Sequence, residues 1–372
     1  MKKSLILLIL ISLIGVTSSF SLEGSIYSKF EVPVYKYSSA SISGQNLLSW
    51  YKHGDYSSMY VNLGADYDIF SQKTDFTWYY NENLDFNLEK VENSYDVDNK
   101  ILEYYDNFSA AKYFGLLQAY GYGGFDLKAQ NEVKPYKRLD LEVGGGAGRI
   151  IYCTTVAQAI AVVKELDAKL SDQKVLEIAD LIGKKYWYSV TYKDEWKEYF
   201  YKDLANAIGK PDAALTIMRI LEGGVYTISS RSTGWQVRVG YSNYFLTDDD
   251  PKPKGDIQFR ADYAKPIGLD MQFGASAGYA KHLEEDAGAT MYAGVDFTLD
   301  HDFTWASFAG FDYEQFLADT GDNPDPYYRL YFGTRKNILN KLVSEIRFVY
   351  YKYSGSDDPS LNFFIDFIYS LW

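Results

Sequence analysis

The sequence predicts an all-β transmembrane barrel of about 12 antiparallel strands, interrupted by a small inserted α-helical subdomain. Three observations predict it. Apolar and polar residues alternate with a period of two over most of the chain, the pattern of strands with one apolar face. The alternating runs are about 10 to 15 residues long, whereas strands of soluble proteins peak near 5–6 residues and membrane-spanning strands need about 9–11. One central block changes to helical spacing.

In chain order, the opening MKKSLILLILISLIGVTSSFS places Lys2 and Lys3 before an apolar core and small residues, Ser19 and Ser21, where a signal peptidase reads. It predicts a signal peptide over 1–21, cut before Leu22. The apolar run is short of the roughly 20 residues a spanning helix needs. Residues 22–56 are expected to form an N-terminal arm. The first part of the barrel, about 4 strands, is assigned to 57–153, with strands near 57–70, 73–90, 113–129 and 134–152 and a long connection at 91–112. In the first of these Met59, Val61, Leu63, Ala65, Tyr67 and Ile69 oppose Asn62, Gly64, Asp66 and Asp68.

The run LEVGGGAGRIIYCTTVAQAIAVVKEL (141–166) resembles a nucleotide-binding turn only superficially. Such a turn needs its last Gly at a helix N-terminus within a parallel unit, but Gly148 is followed by Arg-Ile-Ile-Tyr-Cys before helical spacing begins. No Gly-Lys-Ser/Thr follows, which excludes a P-loop. With a period of two, Gly144, Gly146 and Gly148 share a face with Arg138, Asp140 and Glu142. These glycines either leave room for something to pack against the wall or permit the strand to bend.

From Thr155 the apolar residues Val156, Ala159, Ile160, Val163, Leu166 and Leu170 fall at helical spacing. Ser171 caps a second helix carrying Val175, Ile178, Ala179 and Ile182. Trp196, Phe200, Leu204 and Ile208 mark a third, closed by Gly209, and Pro211 opens a fourth through Leu215, Met218 and Leu221. The insert is assigned to 154–224. The second part of the barrel, 225–372, carries about 8 strands, near 232–245, 255–265, 268–281, 288–299, 303–316, 326–336, 341–353 and 360–372. Polar, acidic loops such as 247–255 and 318–326 alternate with tight links such as 264–268 and 299–302. Long extracellular loops alternating with short periplasmic turns are expected of a barrel, and this alternation puts the insert on the periplasmic side.

Aromatic residues make 17% of the chain, with Tyr 36, Phe 22 and Trp 7. A signal peptide, long dyad-repeat strands, abundant Tyr at strand ends and a final strand LNFFIDFIYSLW together resemble the bacterial outer-membrane β-barrel proteins, of the porin-like class. The resemblance covers most of the mature chain. It implies residence in the outer membrane, contact with outer-membrane lipid, and insertion by the barrel-assembly machinery. One detail departs from the class: Leu361, Phe363, Ile365, Phe367, Tyr369 and Leu371 form the apolar face opposite the terminal Trp372.

The formal charge of −13 becomes −15 without Lys2 and Lys3, which gives no electrostatic footprint for nucleic acid. Cys153 stands alone and forms no internal disulfide. The expected lumen face carries Arg138, Asp140, Glu142, Arg238, Asp256, Arg260, Asp262, Asp296, Asp312, Arg329, Glu345 and Arg347, with Glu314 and Asp366 beside them. In a water-filled pore these would set ion or solute preference. In a narrow barrel they would pair across the interior and close it.

No enzyme and no cofactor is expected. The outer-membrane phospholipases pair a His with a Ser two positions later, which none of His53, His282 and His301 does; His301-Asp302 falls in a periplasmic turn, away from the extracellular rim used by surface proteases. No ligand spacing suggests a metal, and the acidic run 319–325 lacks the EF-hand order and its closing Glu. Two functions follow: a channel or transporter for ions or small solutes whose insert plugs or gates the periplasmic mouth, or a non-conducting docking barrel whose insert binds a periplasmic protein.

Overall fold

The computed structural model describes residues 26–30, 35–44, 49–53, 56–91, 99–115, 118–130, 136–222, 230–246, 254–268, 270–283, 288–301, 304–318, 326–339, 342–352 and 360–370. The expected signal peptide at 1–21 lies outside them.

Fifteen strands form one antiparallel sheet in which chain neighbours are hydrogen-bonded: β1 (Tyr35–Gly44), β2 (Ser49–His53), β3 (Tyr56–Gln72), β4 (Phe76–Val91), β5 (Asn99–Phe114), β6 (Ala119–Gln130) and β7 (Tyr136–Tyr152), then β8 (Ser232–Leu246), β9 (Lys254–Ile267), β10 (Met271–His282), β11 (Ala289–Asp300), β12 (Trp305–Leu317), β13 (Tyr327–Leu339), β14 (Leu342–Lys352) and β15 (Ser360–Ser370). The first two are halves of one interrupted strand. Both pair with β3 on one side, through Ser43↔Gly64 and Ser49↔Tyr60, and with β15 on the other, through Ser41↔Ser370 and Trp50↔Phe363. Among the described residues the sheet therefore closes on itself as a barrel with fourteen strand positions and leaves no edge for another chain to add to.

The barrel class stands, but the count of about 12 is corrected to fourteen. Residues 22–56, expected as an arm, supply β1 and β2, and the expected connection 91–112 contains most of β5. The segment 57–153 accordingly holds five strands rather than about four. Both omissions have a physical cause. β1 reads YKYSSASISG, serine-rich on both faces, and β5 carries Tyr104 and Asp106 among its outward residues, so neither shows a clean alternation.

Between β7 and β8 lie five helices: α1 (Thr154–Glu165), α2 (Asp172–Gly183), α3 (Lys185–Tyr192), α4 (Trp196–Ile208) and α5 (Ala214–Glu222). The Ser171 hydroxyl accepts from the Lys174 N–H at 3.4 Å to start α2, and Gly209, at φ +81°, ends α4 in the left-handed conformation. α3, KYWYSVTY, is the helix that periodicity missed, because its aromatic and β-branched residues favour strands. The helices bury a core of their own, with Val156, Ile178, Phe200, Leu204 and Ile217 wholly inaccessible. Tyr27 and Phe30, from a short 3-10 turn (Ile26–Lys29), join that core, so the N-terminal segment is docked on the helices.

One carboxylate ties the last helix to the others. Glu222 accepts from Lys197 at 2.7 Å and lies 3.1 Å from Lys185. Burial pushes its carboxyl up, but the Lys197 hydrogen bond and the Lys185 charge outweigh that and hold it below the ordinary value. A carboxylate depressed in the folded state contributes stability above its unfolded value, about 4.3, and loses it as pH falls through the folded value. Helix content in 154–222 is thus expected to fall on acidification below about pH 4, and less steeply in Glu222→Gln, as circular dichroism would record.

Candidate functional site

The two faces of the wall are chemically distinct. Large apolar side chains on the outward parity are open to the surroundings: Leu141 45%, Val239 53%, Phe259 51%, Phe332 55% and Leu361 65% exposed. Their neighbours in sequence point inward and carry the charge.

All twelve predicted lumen residues lie on this inner parity, and the registers bring most of them into pairs. On β12–β15, Arg329 Nη2 is 2.5 Å from Asp312, Arg335 Nη2 is 2.7 Å from Glu345, and Arg347 Nη2 is 3.5 Å from Asp366. Arg335 is not among the predicted set; it falls at the end of the strand expected near 326–336, where the link RKNILNK (335–341) begins. Asp296, Arg329, Arg335, Glu345 and Arg347 line a cavity of about 630 Å³ that Ser230, from the segment returning from the helices, also borders. On β8 and β9, Arg260 Nε meets Asp262 at 2.8 Å and Gln236 donates to the same carboxylate at 3.1 Å. Asp256 meets His282 Nδ1 at 2.7 Å. Arg238 lies 5.3 Å from the Tyr122 ring centre, and the Tyr122 hydroxyl donates to Glu142 at 2.9 Å.

The opposite wall, β3–β7, is acidic and amide-rich. Asn81 donates to Asp68 at 2.8 Å and Asn83 to Asp66 at 2.5 Å, and Arg138 meets Asp140 at 2.8 Å. Asp66, Asn83, Asp85, Asp126 and Arg138 border a second cavity of about 570 Å³. Within each of these lumen Arg–carboxylate pairs the exposures differ in one sense. The side chains of Arg138, Arg260, Arg329, Arg335 and Arg347 are 36–47% exposed, whereas Asp262, Glu345 and Asp366 are 6–14% exposed. The carboxylates sit at the wall and the guanidinium groups face open space.

Gly144 and Gly146 resolve both readings of the glycine run. A Cβ on Gly144 would stand 2.7 Å from the Tyr122 ring, and one on Gly146 the same distance from the Tyr120 ring. These glycines make room for tyrosines of the neighbouring strand. Gly148 instead bends the chain, at φ +82°.

At that bend β7 and β8 leave the wall. The pairing of β7 with β6 stops at Gly146, and that of β8 with β9 starts at Gly234 (φ +117°), yet β7 and β8 stay paired to Tyr152↔Ser232. This two-stranded ribbon is held on both flanks by strands that are not its neighbours. On one flank, Arg149, 4% exposed, donates to the carbonyls of Lys73 (2.6 Å) and Thr74 (2.7 Å) and to Thr77 Oγ1 (2.7 Å), and lies 4.1 Å from the Tyr113 ring centre. The Tyr152 N–H donates to Gln72 Oε1 at 3.2 Å. On the other flank, wholly buried Arg231 meets Asp300 at 2.6 Å, and Gln272 bonds both the N–H and the carbonyl of Ser232 at 3.1 Å. The ribbon therefore runs across the barrel end bearing the short turns, from β3–β5 on one side to β10–β11 on the other. Neither Arg149 nor Arg231 was identifiable from alternation, because both lie past the bend.

Cys153 follows the ribbon and is fully buried; burial pushes its thiol up to about 12. It is expected to resist maleimide at pH 7 in the folded protein and to react stoichiometrically after denaturation, as intact mass would show.

A closed antiparallel sheet with an even number of strand positions, apolar outside and charged within, defines a membrane-spanning β-barrel of the bacterial outer-membrane type. No protein-family model and no curated protein matches the chain. Among solved structures it is similar to the loop L8 deletion mutant of OmpT, an outer membrane protein of Vibrio cholerae (12% identity, 91% of this chain and 98% of that chain, TM-score 0.38). It is also similar to the COG4313 outer membrane channel from Pseudomonas putida F1 (8% identity, 94% and 100%, TM-score 0.39). A third is Omp33 of Acinetobacter baumannii (11% identity, 91% and 99%, TM-score 0.35).

Proposed function

We propose that the barrel is a channel or transporter for ions or small solutes, and that the β7–β8 ribbon with its helices narrows the periplasmic mouth. The observation that carries this reading is the ribbon itself, anchored across the barrel end by Arg149 on one flank and Arg231 on the other. The half-exposed arginines favour a wet interior, since a lumen closed by its own charges would bury both partners of each pair. Outer-membrane lipid surrounds the belt, the assembly machinery inserts it, and no catalytic role is assigned. Of the two histidines whose side chains are described, His282 is bonded to Asp256 and Thr290, and His301 to Ser307.

The test is single-channel conductance of the refolded, heat-modifiable protein in planar bilayers, comparing the full chain with one in which 154–224 is replaced by a short linker. Small steps that grow on deletion are expected. Silence from both folded forms would defeat the channel reading. The docking reading draws support from Trp187, Val190 and Leu215, exposed on the helices at 53%, 60% and 68%. Such a protein would be silent in both forms and would lose a periplasmic partner on deletion.

A further inference from the structure

Among the described residues, the outward face of the barrel carries one pair of carboxylates, on β4 and β5. On β4, Tyr80, Glu82, Leu84 and Phe86 share the outward parity, and on β5 Leu102, Tyr104, Asp106 and Phe108 do; Leu84 and Leu102 are 44% and 40% exposed. The β4–β5 register is unbroken and sets Glu82 directly opposite Asp106. Tyr80 and Tyr104 each donate to Glu82 at 3.4 Å, which confirms that the carboxylate lies on the outer side with them. Asp106 Oδ1 is buried and has no hydrogen-bond partner. Asp106 stands seven residues from one end of β5 and eight from the other, about 25 Å along the strand each way, so the pair lies at mid-depth of the belt. Two carboxylates at that depth, one of them short of a partner, do not suit contact with hydrocarbon.

We infer that the β3–β5 face is covered in the membrane by a transmembrane segment of a different protein bearing a Lys or Arg at mid-bilayer depth, which pairs with Glu82 and Asp106. Charge complementarity selects this occupant. A second copy does not supply the cation: among the described residues, outward-parity cations such as Lys112, Lys265, Lys281, Lys336 and Lys352 all stand within three residues of a strand end. The tyrosines around Glu82 are suited to the same role, since their rings accept a cation on the face and their hydroxyls orient the carboxylate.

The test places the photo-crosslinking residue p-benzoylphenylalanine at Leu84 of the full chain in the membrane of the cells that make it, with a control probe at Phe259 on the far wall. The expected result is a protein adduct from Leu84 alone, attached to another membrane protein within a few residues of a Lys or Arg in its membrane segment. Adduct yield should fall at least tenfold in the Glu82→Gln/Asp106→Asn variant, or in Asp106→Asn alone should the double variant lose heat-modifiable folding. An adduct only with lipid or with a second copy, an attached segment without a cation, or a yield indifferent to both variants would overturn the inference.

Discussion

Asp300→Ala is expected to unlatch the ribbon and raise conductance toward that of the chain lacking 154–224. The Arg231 side chain is 0% exposed and that of Asp300 9%, with Nη2 and Oδ2 2.6 Å apart. Removing one partner of a buried ion pair is strongly destabilising, at a cost of about 3–5 kcal/mol. Global unfolding is not needed to relieve it. Arg231 needs only to reach water, and its backbone is the start of the ribbon, so Ser232 and its bonds to Gln272 move with it. The Arg149 anchor stays in place, which makes the opening one-sided and the conductance intermediate. The paired substitution Arg231→Met with Asp300→Leu removes both charges and keeps the volume filled; it is expected to restore the small conductance. A folded Asp300→Ala protein that conducts like the parent would show that the ribbon does not limit flow.

How much of this was written in the sequence depends on whether a strand has one greasy face. β7 to β15 do, so their positions and inner residues could be read from a period of two alone, down to the Arg329 and Asp312 that the register sets opposite each other. β1 and β5 do not. A strand whose outward face carries serine, tyrosine or aspartate loses the contrast on which period-two reading depends, and Tyr104 and Asp106 are what obscured β5, whereas β4 was legible near 73–90. The mouth was hidden for another reason. Arg149 keeps the outward parity of Leu141 and Val143, and only the positive φ of Gly148 turns it inward to reach a turn more than seventy residues away. Alternation carries no information about contacts across a lumen, since they are set by barrel closure rather than by neighbours in the chain.

The lumen arginines are expected to govern selectivity rather than stability. Replacing Arg329, Arg335 and Arg347 together by glutamine should leave the barrel heat-modifiable and raise its preference for cations over anions about tenfold at low salt. The arginine side chains are 36–47% exposed, so their own charges are largely screened; Glu345 and Asp366, 9% and 6% exposed, lose a partner, a cost that the strand pairing of β13–β15 is expected to carry. An ion passing about 6 Å from one guanidinium in water feels about 0.7 kcal/mol, a factor of about three, and three such groups line one cavity. Removing them leaves Asp296, Asp312, Glu345 and Asp366 unopposed on that wall, facing the acidic wall of β3–β6. The reversal potential across a tenfold KCl gradient reports the change directly, and it should shrink as salt screens charges more than about 10 Å apart at 0.1 M. A reversal potential unmoved by the triple substitution would place the conduction path elsewhere in the lumen.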